Sequence, residues 1–193
     1  MLFSLPSQSN KLITTQFVSA KLFDDNYIDK IVNDLSDNDW QDTLVNKNSN
    51  DVKSENRICQ SQIPKNLPLE ELLRAVKQVN NEYWKLNISH IDLAFDSPQV
   101  CKYNEGGLFN WHIDTTKDKS TRKLAFTMQL SDPKDYEGGD LQFFDGDKTR
   151  LNTELRNKGT IIIFPSFVWH RITPITKGTR LALVGWVHGD CIK

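Results

Sequence analysis

Ile161-Ile162-Ile163-Phe164, ended by Pro165, is the stretch that decides the fold, because β-branched and aromatic residues before a proline predict a buried strand that stops there. Further short segments rich in such residues lie on both sides of it, at 88–95, 99–104, 122–131, 140–145 and 180–187. Turn residues, among them Gly138-Gly139, separate these segments. A series of short strands divided by turns predicts two antiparallel sheets arranged as a jelly roll.

The N-terminal half has a different pattern, which predicts a short strand and two helices. Residues 17–23 (FVSAKLF) favour an opening strand. Asp24 and Asp25 then offer N-cap oxygens to a first helix, whose apolar residues stand at helical spacing: Ile28, Ile31, Val32 and Leu35. Residues 68–84 predict a second helix, which starts at a proline, has acidic residues in its first turn and carries one apolar face.

Together these patterns predict an α+β fold: a double-stranded β-helix (jelly-roll) core with the N-terminal helices packed on one sheet. We expect a single domain over residues 1–193, with a helical support region at 1–88 and the jelly roll at 89–193. Residues 46–51, within a stretch rich in Asn, Asp, Ser and Lys, predict a mobile loop. Two interpretations of this stretch stay open: a solvated connection, or a lid at 46–57 that orders over a substrate.

The composition narrows the classes of function and the compartment. The chain has 24 basic and 25 acidic residues and a formal net charge of −1, so no basic surplus favours binding to phosphate backbones, which argues against nucleic acid as the partner. Its three cysteines form no CxxC pair, which favours a reducing compartment over disulfides or a zinc cluster. No signal peptide or membrane span is recognisable, so we expect a cytoplasmic protein with no membrane partner.

The residues best suited to chemistry form a His-x-Asp motif with a His and an Arg further along: His112, Asp114, His170 and Arg180. Because residues i and i+2 of an extended strand point to the same side, His112 and Asp114 are expected to project together as two ligands. With His170, two imidazoles and one carboxylate occupy one face of an Fe(II) octahedron and leave the opposite face open. Arg180 adds a planar cationic fork suited to a carboxylate.

Two further His-x-Asp pairs, His90-Ile91-Asp92 and His188-Gly189-Asp190, show that the pair alone is a weak signal. His90 is followed by His112 and Arg122, but Asp92 and His112 are only 20 positions apart, too close for the strands that must intervene. His188 has no histidine after it. A structural role is favoured for both. Arg122 is interpreted as an exposed arginine, with contact to a substrate at the barrel mouth as the alternative.

Three stretches carry a resemblance to a known family. They are the pattern Tyr103-x-x-Gly106-x-x-Phe109-x-x-His112-x-Asp114, residues 130–141 (LSDPKDYEGGDL) and residues 164–180 (FPSFVWHRITPITKGTR). They resemble prolyl 4-hydroxylase-like Fe(II)/2-oxoglutarate dioxygenases, and the last two look especially like the bacterial PKHD-type hydroxylases. The resemblance covers about residues 98–187. The N-terminal half is similar only in having helices before the barrel.

The resemblance implies roles for the four motif residues. His112, Asp114 and His170 are the expected catalytic residues and metal ligands, holding Fe(II). Arg180 is expected to pair with the C5 carboxylate of 2-oxoglutarate, the cosubstrate. O₂ completes the cofactor set, with ascorbate as a reductant. Oxidative decarboxylation of 2-oxoglutarate to succinate and CO₂ is then coupled to hydroxylation of an unactivated C–H bond.

The resemblance also implies a set of residues lining the cofactor pocket. Tyr103 matches a tyrosine beside the cosubstrate, and Trp186 matches an aromatic position next to the pocket. Gln129 stands where many animal-type relatives carry a tyrosine that contacts the carboxylate, so the second anchor is left open. Thr127, on the same strand face, is the candidate substitute. Phe109 replaces a frequent tyrosine, and a core aromatic is its favoured interpretation.

The predicted function is that of a 2-oxoglutarate-dependent dioxygenase acting on a prolyl residue in a protein or peptide. No residue specifies proline, and this part of the prediction comes from the resemblance alone. Two alternatives stay open: hydroxylation of a free amino acid or another small metabolite, and a non-catalytic metal-binding jelly-roll module.

Overall fold

The computed structural model of the chain describes residues 16–43, 45–47, 50–52, 55–145, 148–150 and 153–191. Two α-helices and sixteen β-strands lie within these ranges. Their bounds are β1 Val18–Lys21, α1 Asp25–Asn33, β2 Gln41–Asp42, β3 Val45–Lys47, β4 Asn50–Val52, β5 Arg57–Ile58, β6 Gln60–Gln62, α2 Leu69–Tyr83, β7 Gln99–Tyr103, β8 Leu108–His112, β9 Arg122–Gln129, β10 Tyr136–Gly138, β11 Leu141–Asp145, β12 Lys148–Arg150, β13 Thr160–Pro165, β14 His170–Ile172, β15 Ile175–Gly178 and β16 Arg180–His188.

Two antiparallel sheets form the body of the fold. The large sheet has the strand order β1-β13-β9-β16-β7-β6-β2, and the small sheet has the order β12-β11-β14-β8-β5. Two additional pairs, β10-β15 and β3-β4, complete the strands of the described part. Mostly antiparallel sheet with two helices is consistent with the predicted jelly-roll core. Neither helix among the described residues is both long and apolar enough to cross a membrane.

The large sheet has an apolar layer on each face. One layer combines α1, α2 and the sheet, and its buried members include Ile28, Val76, Val79, Phe126 and Leu183. The other layer lies between the two sheets, where residues of the large sheet pack with residues of the small one. Its buried members include Cys101, Tyr103, Ala125, Phe143, Phe164, Ile172 and Trp186. Because side chains alternate along a strand, the central strands β13, β9, β16 and β7 each contribute to both layers.

The N-terminal half contributes strands as well as helices. β1 pairs with β13, and β6 pairs with β7, so both flanks of the large sheet are built from residues before 63. β5 pairs with β8 at the edge of the small sheet. The region predicted as a helical support therefore also extends both sheets. Residues 1–15 lie outside the described residues.

The predicted strand at 88–95 is wrong for most of its length. Only a single bridge forms there, between His90 and His188, and a turn follows. The side chain of Asp92 accepts hydrogen bonds from the amides of Ala94 (2.9 Å) and Phe95 (3.1 Å). These amides are the donors that a strand would use for its ladder, so the carboxylate of Asp92 turns the chain instead.

The predicted loop at 46–51 is also wrong in part. β3 and β4 form an antiparallel pair with Val45 opposite Val52, Asn46 opposite Asp51 and Lys47 opposite Asn50. Cross-strand pairing outweighs the low intrinsic strand preference of Asn and Asp. Residues 48, 49, 53 and 54 lie outside the described residues, and the lid at 46–57 stays a prediction.

Candidate metal centre

Three side chains with metal-ligand atoms meet at one end of the small sheet. His112 is the last residue of β8 and His170 the first of β14, and the two stand directly opposite each other in the antiparallel pair. Asp114 follows two residues after His112. Its carboxylate oxygens lie 3.8 Å from Nε2 of His112 and 3.6 Å from Nε2 of His170. All three ligand atoms lie within 4.8 Å of one another, so one ion can contact them together.

A turn, rather than a strand, brings Asp114 to this position. β8 ends at His112, so the predicted extended geometry for the His-x-Asp pair is wrong at Asp114. The carbonyl of Ser166, just after β13, accepts hydrogen bonds from the amides of Asp114 (2.8 Å) and Thr115 (3.0 Å). The chain leaves the small sheet here and is fixed to the end of the large sheet. The side chain of Asp114 is thereby aimed between the two imidazoles.

Both imidazoles are oriented by backbone carbonyls. Nδ1 of His112 lies 2.7 Å from the carbonyl oxygen of Asn110, and Nδ1 of His170 lies 2.9 Å from that of Val168. A carbonyl accepts only, so Nδ1 carries the proton and Nε2 presents its lone pair toward Asp114. Burial lowers the pKa of His112 to about 3, with repulsion from His170 as the next cause. His112 is therefore a neutral imidazole at neutral pH, as metal binding requires.

Arg180 lies at the start of β16 with only 1% of its surface exposed. Its Nε and Nη2 atoms have no hydrogen-bond partner among the described residues. The guanidinium carbon lies 5.5 Å from the ring centre of Tyr103, the residue opposite Arg180 in the pair of β16 with β7. A buried charge with unused donors is costly unless a ligand satisfies it. The fork of Arg180 is therefore suited to an anionic group of a bound molecule.

The other predicted pocket residues lie on the inner face of the large sheet. Gln129 and Thr127 stand opposite Ala182 and Val184 of β16, and Trp186 stands opposite Ala125. Alternation along β16 puts these positions on the same face as Arg180. Gln129 Oε1 and Trp186 Nε1 are buried without a partner in the described part of the chain.

Tyr136 is a pocket candidate that sequence reasoning missed. It lies on β10, 3% exposed, and its hydroxyl is buried with no partner within the described ranges. A Cβ placed on Gly139 would lie 3.4 Å from Cε2 of Tyr136 and 3.1 Å from Cδ of Arg180, so the two side chains converge on this glycine. Gly139 has φ +65°, which also favours glycine. The tyrosine lies within the LSDPKDYEGGDL stretch, but its burial could not be read from that stretch.

Arg122 is buried, contrary to the predicted exposed arginine. It donates from Nε to Asp96 (2.6 Å) and also pairs with Asp96 through Nη2. Its guanidinium carbon lies 3.4 Å from the ring centre of Trp186. His188 joins the same cluster, with Nε2 3.1 Å from Asp96 and Nδ1 3.0 Å from the hydroxyl of Thr121. The paired charges explain the burial, and His188 has the structural role that the sequence favours.

The fold and the site together define a class: a double-sheet protein with two histidines and one aspartate at one end, the ligand set of non-heme iron oxygenases. Comparison with known families matches residues 98–188 to the 2OG-Fe(II) oxygenase superfamily. This match confirms the resemblance seen in the sequence. Proteins of that superfamily use Fe(II), 2-oxoglutarate and O₂, and the His112–Asp114–His170 cluster of this chain fits the metal.

The chain is similar in sequence to PKHD-type hydroxylases. It is 37% identical over 89 residues to one from Idiomarina loihiensis, covering 46% of this chain and 40% of that protein. It is 32% identical over 145 residues to one from Prochlorococcus marinus, covering 71% of this chain and 65% of that protein. The chain thus spans less than two thirds of these relatives.

Two solved structures share the fold at low sequence identity. A prolyl-4-hydroxylase from Pseudomonas putida superposes with a TM-score of 0.69 at 17% identity, covering 91% of this chain and 93% of that chain. A prolyl hydroxylase from Trichoplax adhaerens, in complex with a peptide fragment of hypoxia inducible factor, gives 0.72 at 15% identity, covering 91% and 84%. These similarities support the two-sheet fold.

Proposed function

We propose that the protein is an Fe(II)- and 2-oxoglutarate-dependent dioxygenase that hydroxylates an unactivated C–H bond, with a prolyl residue of a protein or peptide as the substrate. The observation that carries the proposal is the His112–Asp114–His170 cluster combined with the buried guanidinium of Arg180, whose Nε and Nη2 have no partner among the described residues. The prolyl substrate is supported by the PKHD-type relatives and by the prolyl hydroxylases that share the fold.

The residues of the chain bind and orient the two cofactors. His112, Asp114 and His170 hold Fe(II) through two neutral nitrogens and one carboxylate. Arg180 binds the C5 carboxylate of 2-oxoglutarate through its free donors. When bound, Fe(II) and 2-oxoglutarate supply O₂ activation, in which 2-oxoglutarate is converted to succinate and CO₂ as oxygen is inserted into the substrate. Tyr103 and Trp186 form apolar walls that exclude water from the pocket.

We assign Tyr136 as the second anchor of the 2-oxoglutarate carboxylate, in place of Thr127. Its buried hydroxyl has no partner among the described residues, and its ring converges with the side chain of Arg180 on Gly139. Tyr136→Phe is expected to weaken 2-oxoglutarate binding about tenfold, because a hydrogen bond to a charged group is lost. Calorimetric titration of 2-oxoglutarate into the metal-loaded variant measures this loss. Tyr27→Phe, at an exposed position of α1, is the matched control. Unchanged 2-oxoglutarate affinity in Tyr136→Phe would make Thr127 the preferred candidate for the second anchor.

Anaerobic titration tests the cofactor assignment before the substrate is known. Metal-free protein receives Fe(II) and then 2-oxoglutarate, and a visible metal-to-ligand charge-transfer band is expected because the keto acid chelates the iron. The same titration of His112→Ala should give no band. If wild-type protein binds iron but shows no band with 2-oxoglutarate, the assignment fails and the binding-module alternative takes its place. With a band present, succinate release screened over prolyl peptides, free amino acids and small metabolites separates the substrate classes.

A further inference from the structure

Two buried cysteines form a thiol pair beside the pocket. Cys59 lies between β5 and β6, Cys101 lies on β7, and both are free, with exposures of 9% and 1%. β6 and β7 are neighbours with Ser61 opposite Cys101, which puts Cys59 on the same face, diagonally across from Cys101. Both side chains belong to the same buried apolar cluster between the two sheets. Cys191 differs from both because it is exposed.

Polar neighbours make the two thiols chemically unequal. The hydroxyl of Thr43 lies 3.2 Å from Sγ of Cys59, and the guanidinium of Arg57 lies 3.6 Å from Sγ of Cys101. Interaction with the neighbouring thiol of Cys101, together with the charge of Arg57, lowers the pKa of Cys59. Interaction with the thiol of Cys59, together with burial, raises the pKa of Cys101. Cys59 is therefore the nucleophile of the pair and Cys101 the thiol that can resolve its oxidised form.

An open cavity gives small molecules access to Cys59. Its volume is about 500 Å³, and its lining includes Thr43, Arg57 and Cys59. A peroxide that enters this space reaches a thiol activated by a neighbouring cation. Burial of Cys101 behind Cys59 keeps the second thiol available for the resolving step.

The thiol pair is connected to both parts of the proposed cofactor site. On one side, the guanidinium of Arg57 lies 4.8 Å from the ring centre of Phe109, which stacks on His112 at 3.5 Å. On the other side, Tyr103 follows two residues after Cys101 on the same strand face and stands opposite Arg180. A covalent change at the pair must therefore alter the walls of the pocket.

We propose that Cys59 and Cys101 form a peroxide-sensitive disulfide site that weakens 2-oxoglutarate binding when oxidised. The sulfur of Cys59 attacks hydrogen peroxide, an S–O bond forms as the O–O bond breaks, and one water leaves. The sulfur of Cys101 then attacks the resulting sulfenic acid and a second water leaves. In total, two thiols and one peroxide give one disulfide and two waters. The effect on 2-oxoglutarate rests on the proposed function, whereas disulfide formation does not.

Disulfide mapping on the full, metal-free chain tests the site itself. After treatment with hydrogen peroxide, titratable thiols should fall from the three free cysteines to one. Peptide mapping by mass spectrometry should find Cys59 linked to Cys101, and dithiothreitol should reverse the link. Cys191→Ser is the matched control and should keep the link. Oxidation of Cys191 with Cys59 and Cys101 left as thiols would overturn the proposal.

A binding titration tests the consequence for the cofactor site. Reduced, oxidised and re-reduced protein are loaded with Fe(II) and titrated with 2-oxoglutarate. Oxidation should weaken binding about tenfold, the loss of one charge-assisted contact, and re-reduction should restore it. Cys59→Ser and Cys101→Ser should bind equally before and after peroxide. Equal affinity of oxidised and reduced wild-type protein overturns the regulatory part. Reduced protein that binds no 2-oxoglutarate contradicts the proposed function instead. In that case the disulfide mapping alone tests whether Cys59 and Cys101 form a disulfide.

Discussion

Asp114→Ala is expected to lower Fe(II)-dependent turnover of 2-oxoglutarate by on the order of a thousandfold or more, since changes around a metal ligand already cost about 10–100-fold. Asp114 is the anionic member of the cluster, and its carboxylate lies within 3.8 Å of both imidazoles. The variant should fold normally, because the backbone amide of residue 114, not its side chain, holds the carbonyl of Ser166. Succinate release and bound iron, measured on the same sample, check the prediction.

His90→Ala is the matched control for this experiment. His90 also begins a His-x-Asp pair, but it is exposed and lies 5.8 Å, ring to ring, from His188 rather than in the metal-ligand cluster. Its turnover and iron content should equal those of the wild type. Full turnover in Asp114→Ala, together with stoichiometric iron, would show that the cluster is not the catalytic metal site.

Arg180→Met is expected to weaken 2-oxoglutarate binding by roughly 100-fold, equivalent to about 3 kcal/mol for charge-assisted hydrogen bonds. Iron binding should stay unchanged, because Arg180 belongs to the large sheet and the metal-ligand cluster does not use it. Methionine keeps most of the buried volume, so the packing against Tyr103 is retained. Titration of 2-oxoglutarate into iron-loaded protein gives the affinity directly.

The stability of Arg180→Met offers an independent check. Nε and Nη2 of Arg180 have no partner within the described ranges, so the substitution removes a buried charge without breaking an ion pair. Without 2-oxoglutarate, the variant should be at least as resistant to urea as the wild type. Arg171→Met, beside His170 but bonded to Gln142, is the control for loss of an arginine near the metal cluster. Unchanged 2-oxoglutarate affinity in Arg180→Met would place the anchor elsewhere.

Local pattern predicted the elements whose partners lie close in sequence. The helix at 68–84 is found as α2, Leu69–Tyr83, because one apolar face and a proline start are local properties. The helix after Asp24 is found as α1, with the side chain of Asp24 accepting a hydrogen bond from the amide of Tyr27. The strong strand at 161–164 is found within β13. In each of these segments, either the backbone hydrogen bonds form within the segment itself or the apolar residues mark its buried side directly in the sequence.

Features that depend on distant partners were not predictable in the same way. Arg122 is buried because Asp96, 26 residues earlier, forms an ion pair with it and because its guanidinium lies over the ring of Trp186. Asp114 reaches the histidines because Ser166 holds the loop, a contact across 52 positions. The sequence motif named the three side chains that the structure brings together, but it did not predict the backbone path that carries Asp114 to the two histidines. The identity of a ligand follows from its chemistry, whereas its route into the site follows from contacts between separate parts of the chain.

The strands that the N-terminal half adds to the sheets affect how the catalytic half meets other copies of itself. The family match at 98–188 includes β7, β8 and β13, but their outer neighbours β6, β5 and β1 all come before it. Without these neighbours, three rows of backbone amides and carbonyls would stand open to edge-to-edge association and aggregation. The N-terminal segment thus shields the sheet edges, and an excised fragment limited to the matched residues lacks this protection.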